Sequence, residues 1–300
     1  MNNISVVIHT YNSASTLRNC LNSVKWTNEI IIIDMGSVDE TLKIAKKYKS
    51  KIYFFKYTGY VEPARNFGIS KVKNKWVLIL DSDETISVKL KSKLIEISKQ
   101  DRIDFVLIPR KNIIFNKWIK YTGWWPDHKI RFFKKSSVRW TRQIHDVPST
   151  IGKSLLLPPH EAYSIHHENY QSISQFIERL NRYTNIESRK ILKNGENVDT
   201  YTPFRKASKE FIQRFYMSEG YKDGFIGLLL SVLMSFYQFI AYAKVLENKK
   251  RLNEQSNSLN LIINVIILEG LRVVSWNFIN LPLLKLARTF KRKIKQYGYI

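Results

Sequence analysis

Asp81 and Asp83 stand one residue apart, with Ser82 between them, directly after the apolar run Trp76-Val77-Leu78-Ile79-Leu80. Two carboxylates at the carboxyl end of a strand can face one small volume where the chain turns. Hard divalent cations prefer oxygen ligands, and Mg²⁺ or Mn²⁺ completes its octahedron with phosphate oxygens and water. A cation held there would neutralise a diphosphate leaving group as a bond to it breaks. Alone, such a pair is more often a helix cap or a solvated turn, so its surroundings decide.

Three further groups of residues stand upstream. Thr10-Tyr11-Asn12 offers an aromatic face on which a base can stack, between two short polar side chains. Asp34-Met35-Gly36-Ser37-Val38-Asp39-Glu40-Thr41 offers a carboxylate for a base or ribose and a glycine for a tight turn and close ligand approach. Pro63-Ala64-Arg65-Asn66-Phe67-Gly68 sets Arg65 where it can reach a ribose or phosphate, and Asn66 where it can order the loop beneath a metal. Each group has a plain alternative: a strand-to-helix turn, capping chemistry, or a surface arginine. Their order along the chain makes coincidence a poor explanation.

These residues need a sheet to hold them. Ile4 to Ile8 and Glu29 to Asp34 are short apolar, β-branched runs of the kind found in buried parallel strands. Lys51 to Lys56 and Trp76 to Asp81 supply two more strands, and Ile103 to Pro109 a fifth. Helical patterns separate them: Ala14 to Val24, Asp39 to Tyr48 with Ser37 or Asp39 as cap, Pro63 to about Lys71, and Ser87 to about Lys99. This alternation predicts an α/β fold with a mainly parallel sheet between helices. Open sheets of this kind bind ligands outside the carboxyl ends of their strands, where three of the four groups fall, with Arg65 on an early turn of the helix that follows the third strand.

Taken together, Thr10-Tyr11-Asn12, Asp34-x-Gly36-Ser37-x-Asp39-x-Thr41, Ala64-Arg65-Asn66-x-Gly68 and Asp81-Ser82-Asp83 resemble the family 2 glycosyltransferases of GT-A fold. Residues 123–133, from Gly123-Trp124-Trp125-Pro126-Asp127, and Trp140-x-x-x-Ile144-His145-Asp146-x-Pro148 are similar to the bacterial lipopolysaccharide-core β-1,4-glucosyltransferase subgroup. The resemblance implies a nucleotide-sugar donor, commonly a UDP-sugar, a divalent cation (Mg²⁺ or Mn²⁺), and inversion at the anomeric carbon. Thr10, Tyr11, Asn12, Asp34, Gly36, Ser37, Arg65, Asp81 and Ser82 would then face the donor. Asp83 would bind metal directly, with Asp81 nearer the ribose or a metal-bound water.

Inversion requires one base to deprotonate the acceptor hydroxyl. Asp146 is the first choice, although the subgroup usually shows His-Glu where this chain has His145-Asp146. Asp127 is the second choice. For either, the alternative is a salt bridge to Arg131, Arg139 or Arg142. Trp124, Trp125 and Trp140 are candidates for a sugar-stacking platform, against the commoner role of aromatics in a core. His166-His167-Glu168 is not read as a metal site, because adjacent strand residues point to opposite faces.

The chain has 300 residues, 44% of them hydrophobic, a single cysteine and a net charge of +24. Lone Cys20 excludes an intramolecular disulfide framework and fits a reducing compartment. Met1 to Val6 lacks the features of a secretory signal, so a cytoplasmic location is expected. We expect a GT-A catalytic domain over 1–195, with about 1–100 on the donor side and about 101–170 on the acceptor side. A helical region follows over 196–300, basic and apolar, and is expected to associate with membrane.

Residues 224–243 carry no charge, and the basic residues of the last stretch (Lys285 to Lys295) alternate with apolar ones. Helices lying in the membrane plane or docked by their apolar side are favoured over a true span. The expected partners are thus a nucleotide-sugar donor, a glycan or glycolipid acceptor, and the anionic inner face of the bacterial cytoplasmic membrane. Glucose is the favoured sugar, and a lipopolysaccharide-type glycan the favoured acceptor. A polyprenyl-phosphate, capsule or protein acceptor is the alternative. A nucleic-acid-binding protein is suggested by charge alone, without a zinc-finger, helix-turn-helix or RNA-recognition signature, and no nucleic-acid partner is expected. A non-catalytic membrane-binding protein would not need Asp81 and Asp83.

Overall fold

The computed structural model describes residues 3–141 and 147–250. The chain divides into two compact units, Met1–Arg182 and a second that begins at Tyr183. The preferred general base, Asp146, and the basic tail from residue 251 lie outside the described residues.

In the first unit the strand-helix alternation is present in the expected order. It runs β1 (Ile4–Thr10), α1 (Leu17–Val24), β2 (Glu29–Asp34), α2 (Thr41–Lys47), β3 (Lys51–Phe54), α3 (Glu62–Ser70) and β4 (Trp76–Asp81). A short strand, β5 (Glu84–Ile86), precedes α4 (Val88–Ser98) and β6 (Phe105–Ile108). Then come β7 (Arg110–Ile114), β8 (Lys117–Trp118), β9 (Lys129–Lys134) and β10 (Val138–Arg139). The last strands are β11 (Ser149–Thr150), β12 (Ser154–Leu156) and β13 (Ile165–Glu168).

Seven strands form the main sheet in the order β12-β6-β9-β4-β1-β2-β3. β4, β1, β2 and β3 are mutually parallel, and β9 runs antiparallel between β4 and β6. Alternate residues of β1 point to opposite faces, as a pleated strand requires. Val6 and Ile8 pack with Leu17, Leu21, Ile44, Leu90 and Leu94 on the face covered by α1, α2 and α4. Val7 packs with Ile33, Ala64, Ile69, Val77 and Phe133 on the face covered by α3. Because both faces are covered, Ile31, Ile32 and Ile33 of β2 are all fully buried, which is why that run shows no polar alternation.

Two features differ from expectation. α1 begins at Leu17 rather than Ala14: residues 14–16 form a turn in which the N–H groups of Thr16 and Leu17 both donate to Ser13 O (3.2 and 2.9 Å), while the N–H groups of Ser13 and Ala14 donate to Thr41 Oγ1 (2.7 Å) and Asp39 Oδ2 (3.0 Å). β5 was not anticipated. It joins a second sheet, β5-β13-β7-β8, in which β13 lies antiparallel to β5 and parallel to β7.

The second unit is helical where described. The long helix α5 (Ile173–Lys193) enters it, followed by α6 (Thr202–Ile212) and α7 (Phe225–Asn248). On α7 the Ser235 hydroxyl donates to Ala207 O of α6 (2.8 Å), and the Tyr237 hydroxyl to Glu187 Oε2 of α5 (2.6 Å).

Candidate active site

The parallel register of β1 and β2 sets Thr10 beside Asp34 at the carboxyl edge of the sheet. Asp34 is fully buried and encircled by its own neighbours. Its Oδ1 accepts from the hydroxyls of Thr10 (2.9 Å) and Ser37 (2.6 Å), and its Oδ2 from the N–H groups of Gly36 (3.0 Å) and Ser37 (2.9 Å). Gly36 sits at φ +97°, a conformation that side chains other than glycine's rarely adopt. Asp34 therefore shapes the loop and has no oxygen left free of a donor.

The two loops are then zipped together. Asn12 N–H donates to Ser37 Oγ (2.9 Å), and Asn12 Oδ1 accepts from Val38 N–H (2.9 Å). The N-cap position of α2 is taken by Glu40 rather than by Ser37 or Asp39, and its side chain makes no capping bond; Asp39, one residue before it, accepts from Thr41 N–H (3.0 Å). Above this frame the Tyr11 ring is 41% exposed and lies flat on Tyr57, with centroids 4.0 Å apart and planes 3° from parallel. An aromatic wall of this kind can take a base.

β4 lies on the other side of β1 and delivers the Asp81-Ser82-Asp83 turn to the same edge. The Ser82 hydroxyl donates to Ser13 Oγ (2.8 Å), tying the turn to the first loop. Asp81 is held from two sides: Arg65 Nη2 of α3 donates to Oδ1 (3.1 Å) and Arg131 Nη2 of β9 to Oδ2 (2.6 Å). Burial alone would raise its pKa, but the Arg131 and Arg65 guanidiniums hold it well below the usual carboxylate range. Arg65 is itself buried, so what it reaches is Asp81.

Asp83 faces different company. The β5–β13 register sets His167 opposite Glu84, one residue beyond Asp83, and the Glu168 N–H donates to Asp83 O (3.0 Å). His167 Nε2 then lies 3.6 Å from Asp83 Oδ2, with Arg179 Nη2 at 3.8 Å from the same oxygen. The far ring nitrogen of His167 is held by Asn112 Oδ1 of β7 at 2.7 Å. His167 is the residue that sequence reasoning passed over. Adjacent histidines do point to opposite faces, but one of those faces belongs to the site; which of the two is buried there is set by the pairing of β13 with β5.

These residues fit a divalent cation in one way. Among the described residues no group of three or more His, Cys, Asp or Glu side chains gathers into an all-protein cage. Asp83 and His167 offer one carboxylate and one oriented imidazole, and leave positions for diphosphate oxygens and water, as Mg²⁺ and Mn²⁺ sites beside nucleotides do. Asp81, engaged by two arginines, is less available for direct ligation than Asp83.

In the segment expected to face the acceptor, Asp127 lies in a tight ion cluster. Its Oδ2 accepts from Arg110 Nε (2.9 Å) and Nη2 (2.6 Å), and its Oδ1 pairs with Lys129 Nζ (2.8 Å). Burial would raise its pKa, yet Arg110 and Lys129 lower it to about 2, which makes a weak base of this carboxylate as placed. Its salt-bridge partners are thus Arg110 and Lys129 rather than the arginines expected from sequence.

Asn66 also has another task than the one anticipated. It clamps the backbone of Trp140, donating to its carbonyl (2.7 Å) and accepting from its N–H (3.0 Å). Trp140 is buried against Phe133 and so belongs to the core rather than to a stacking platform. Trp125 stays half-buried, edge-on to Trp118 at 5.3 Å.

Several known proteins are similar to this chain. An uncharacterized glycosyltransferase of Rickettsia typhi is 28% identical over 82% of this chain and 88% of its own length. A cholesterol galactosyltransferase of Borreliella burgdorferi is 32% identical over 34% of this chain and 31% of that protein. The solved structure of S. aureus TarS 1-349 in complex with UDP-GlcNAc is 13% identical, with a TM-score of 0.44 over 92% of either chain. Residues 5–152 match the family model Glycosyl transferase family 2, and the chain belongs to that family of glycosyltransferases.

Proposed function

We propose that this glycosyltransferase is metal-dependent and inverting, and moves a hexose, glucose first among candidates, from a UDP-sugar to a lipopolysaccharide-type or other cell-surface glycan. The observation that carries this reading is the facing pair Asp83 and His167 at the sheet edge where the Tyr11 wall and the Asp34 loop also end. Tyr11 stacks on the base, and the Asp34 loop, rigid through its internal hydrogen bonds, receives the ribose. Asp83 and His167 would hold Mg²⁺ or Mn²⁺, which would supply positive charge for the diphosphate leaving group. The acceptor hydroxyl oxygen bonds to the anomeric carbon as the bond from that carbon to the β-phosphate oxygen breaks. The hydroxyl proton passes to Asp146. No covalent enzyme intermediate is needed.

The enzyme works at the inner face of the bacterial cytoplasmic membrane in this reading, with α7 as one point of attachment. That helix has 24 residues, is apolar, and is long enough to cross a bilayer. Phe225, Leu228, Val232 and Phe236 form an exposed apolar stripe at helical spacing. The opposite side is buried within the second unit and hydrogen-bonded through Ser235 and Tyr237, which favours a helix lying on the membrane over one spanning it. A lipid-borne acceptor suits this placement, as does the sterol acceptor named for the Borreliella relative.

Calorimetric titration with a panel of nucleotide sugars, with Mn²⁺ and then with chelator, tests the donor half. Metal-dependent binding of one donor is expected; a folded protein that binds none refutes it. Co-sedimentation with anionic vesicles tests the other half, and Phe225→Ser with Phe236→Ser should reduce it. Undiminished sedimentation removes α7 from that role.

A further inference from the structure

Glu84 follows the Asp81-Ser82-Asp83 turn directly and has no solvent exposure at all. An ionised carboxylate in such a place is costly unless donors surround it, and they do. Its Oε2 accepts from the backbone N–H of Asp81 at 3.0 Å. Its Oε1 accepts from Arg131 Nη2 at 2.8 Å and from Arg110 Nη1 at 3.2 Å. The same Arg131 nitrogen also donates to Asp81 Oδ2 at 2.6 Å. Glu84 thus grips Asp81 twice, once through its backbone and once through Arg131.

The contacts extend into a chain of alternating charge: Arg65, Asp81, Arg131, Glu84, Arg110, Asp127, Lys129. It begins on α3 beside the donor loops and ends in the segment that carries Trp124 and Trp125. Well-packed apolar side chains would fill the same space at equal or better stability. A buried ion chain is therefore a poor device for stability alone, but it fixes the direction of each carboxylate it contains.

We propose that Glu84 is a positioning residue for donor binding, holding Arg131 against Asp81 so that the Asp81-Ser82-Asp83 turn is set before the diphosphate arrives. This rests on the donor site proposed above. Glu84 touches no substrate; it acts through Asp81 and Arg131. Removing its charge leaves Arg110 and Arg131 with one counter-charge fewer, and Arg131 is then oriented by Asp81 alone among its ionised partners.

The test uses the full chain and uridine diphosphate with Mn²⁺ as the probe, titrated calorimetrically into wild type, Glu84→Gln and Glu29→Gln. Glu29 is the matched control: also a buried carboxylate, bonded by Ser5 Oγ (2.6 Å), Lys51 Nζ (2.6 Å) and Lys73 N–H (3.0 Å), but at the opposite end of the sheet. Both variants should lose thermal stability. Only Glu84→Gln should weaken the probe, by about tenfold or more, the scale for one hydrogen-bonded buried charge.

Unchanged affinity in Glu84→Gln, or an equal loss in both variants, overturns the inference. Should Glu84→Gln not fold, Asp127→Asn interrupts the chain at its partly exposed end and must shift affinity in the same direction. If wild type itself binds no uridine diphosphate, the donor reading fails first and this inference fails with it.

Discussion

Gly68→Ala is expected to destabilise this protein, against the ordinary preference of helices. Gly68 lies in the last turn of α3, where alanine in place of glycine normally stabilises by about 1 kcal/mol. Here a Cβ would stand 2.6 Å from Val7 Cγ1, 3.0 Å from Ile33 Cγ1 and 3.4 Å from His9 Nε2. Val7 and Ile33 are fully buried and β-branched, so neither can swing a flexible end aside.

The helix must then lift from the sheet by several tenths of an ångström. Overpacking of this kind costs about 1–3 kcal/mol, and a contact this short belongs to the upper part of that range. Overpacking outweighs propensity, leaving a net loss of about 1–2 kcal/mol. Urea unfolding followed by tryptophan fluorescence, for which Trp76 in the core stacked on Phe132 is a reporter, should show a midpoint lower by about 0.5–1 M. Because α3 also carries Arg65 and Asn66, donor turnover should fall in the same variant. A midpoint equal to or above wild type would refute the packing argument.

Asp83→Ala should abolish transfer while far-ultraviolet circular dichroism stays native, and His167→Ala should weaken the response of donor binding to Mn²⁺. Full activity in the first, or an unaltered Mn²⁺ dependence in the second, removes that residue from the metal. Asp127 gives a pH dependence with a definite sign. Its folded pKa of about 2 lies below the ordinary 3.8, so its contribution is fully present above about pH 4 and is lost as pH falls through 2. Urea midpoints measured from pH 5 to 2 should therefore fall less steeply in Asp127→Asn than in wild type. Ser87→Ala should cost about 1 kcal/mol, because Ser87 Oγ caps α4 through Leu90 N–H (3.0 Å) and donates to Ala162 O (2.6 Å); thermal melts would show it.

Much of the donor side was legible in the residues alone. β4 has the bounds expected for it, and Asp34, Asp39 and Asp81-Ser82-Asp83 all fall at the carboxyl edge of one sheet. The reason is local. Apolar β-branched runs, cap residues and a glycine at positive φ act within a few residues of themselves, so their spacing along the chain carries the information.

What each carboxylate touches was decided elsewhere. Asp81 is bound by Arg65 and Arg131, 16 and 50 positions along the chain. Asp127 meets Arg110 because β6 pairs with β9, Ile108 opposite Lys129, and that contact makes the carboxylate one member of an ion chain. His167 comes to Asp83 only through the pairing of β13 with β5, a strand of three residues with no periodicity of its own to reveal it. Asn66, read from sequence as a support for the metal loop, is drawn instead to the backbone of Trp140, 74 residues away. Charge partnership, burial and the pKa values they set depend on distances between segments far apart in sequence, and those distances exist only once the sheets have formed.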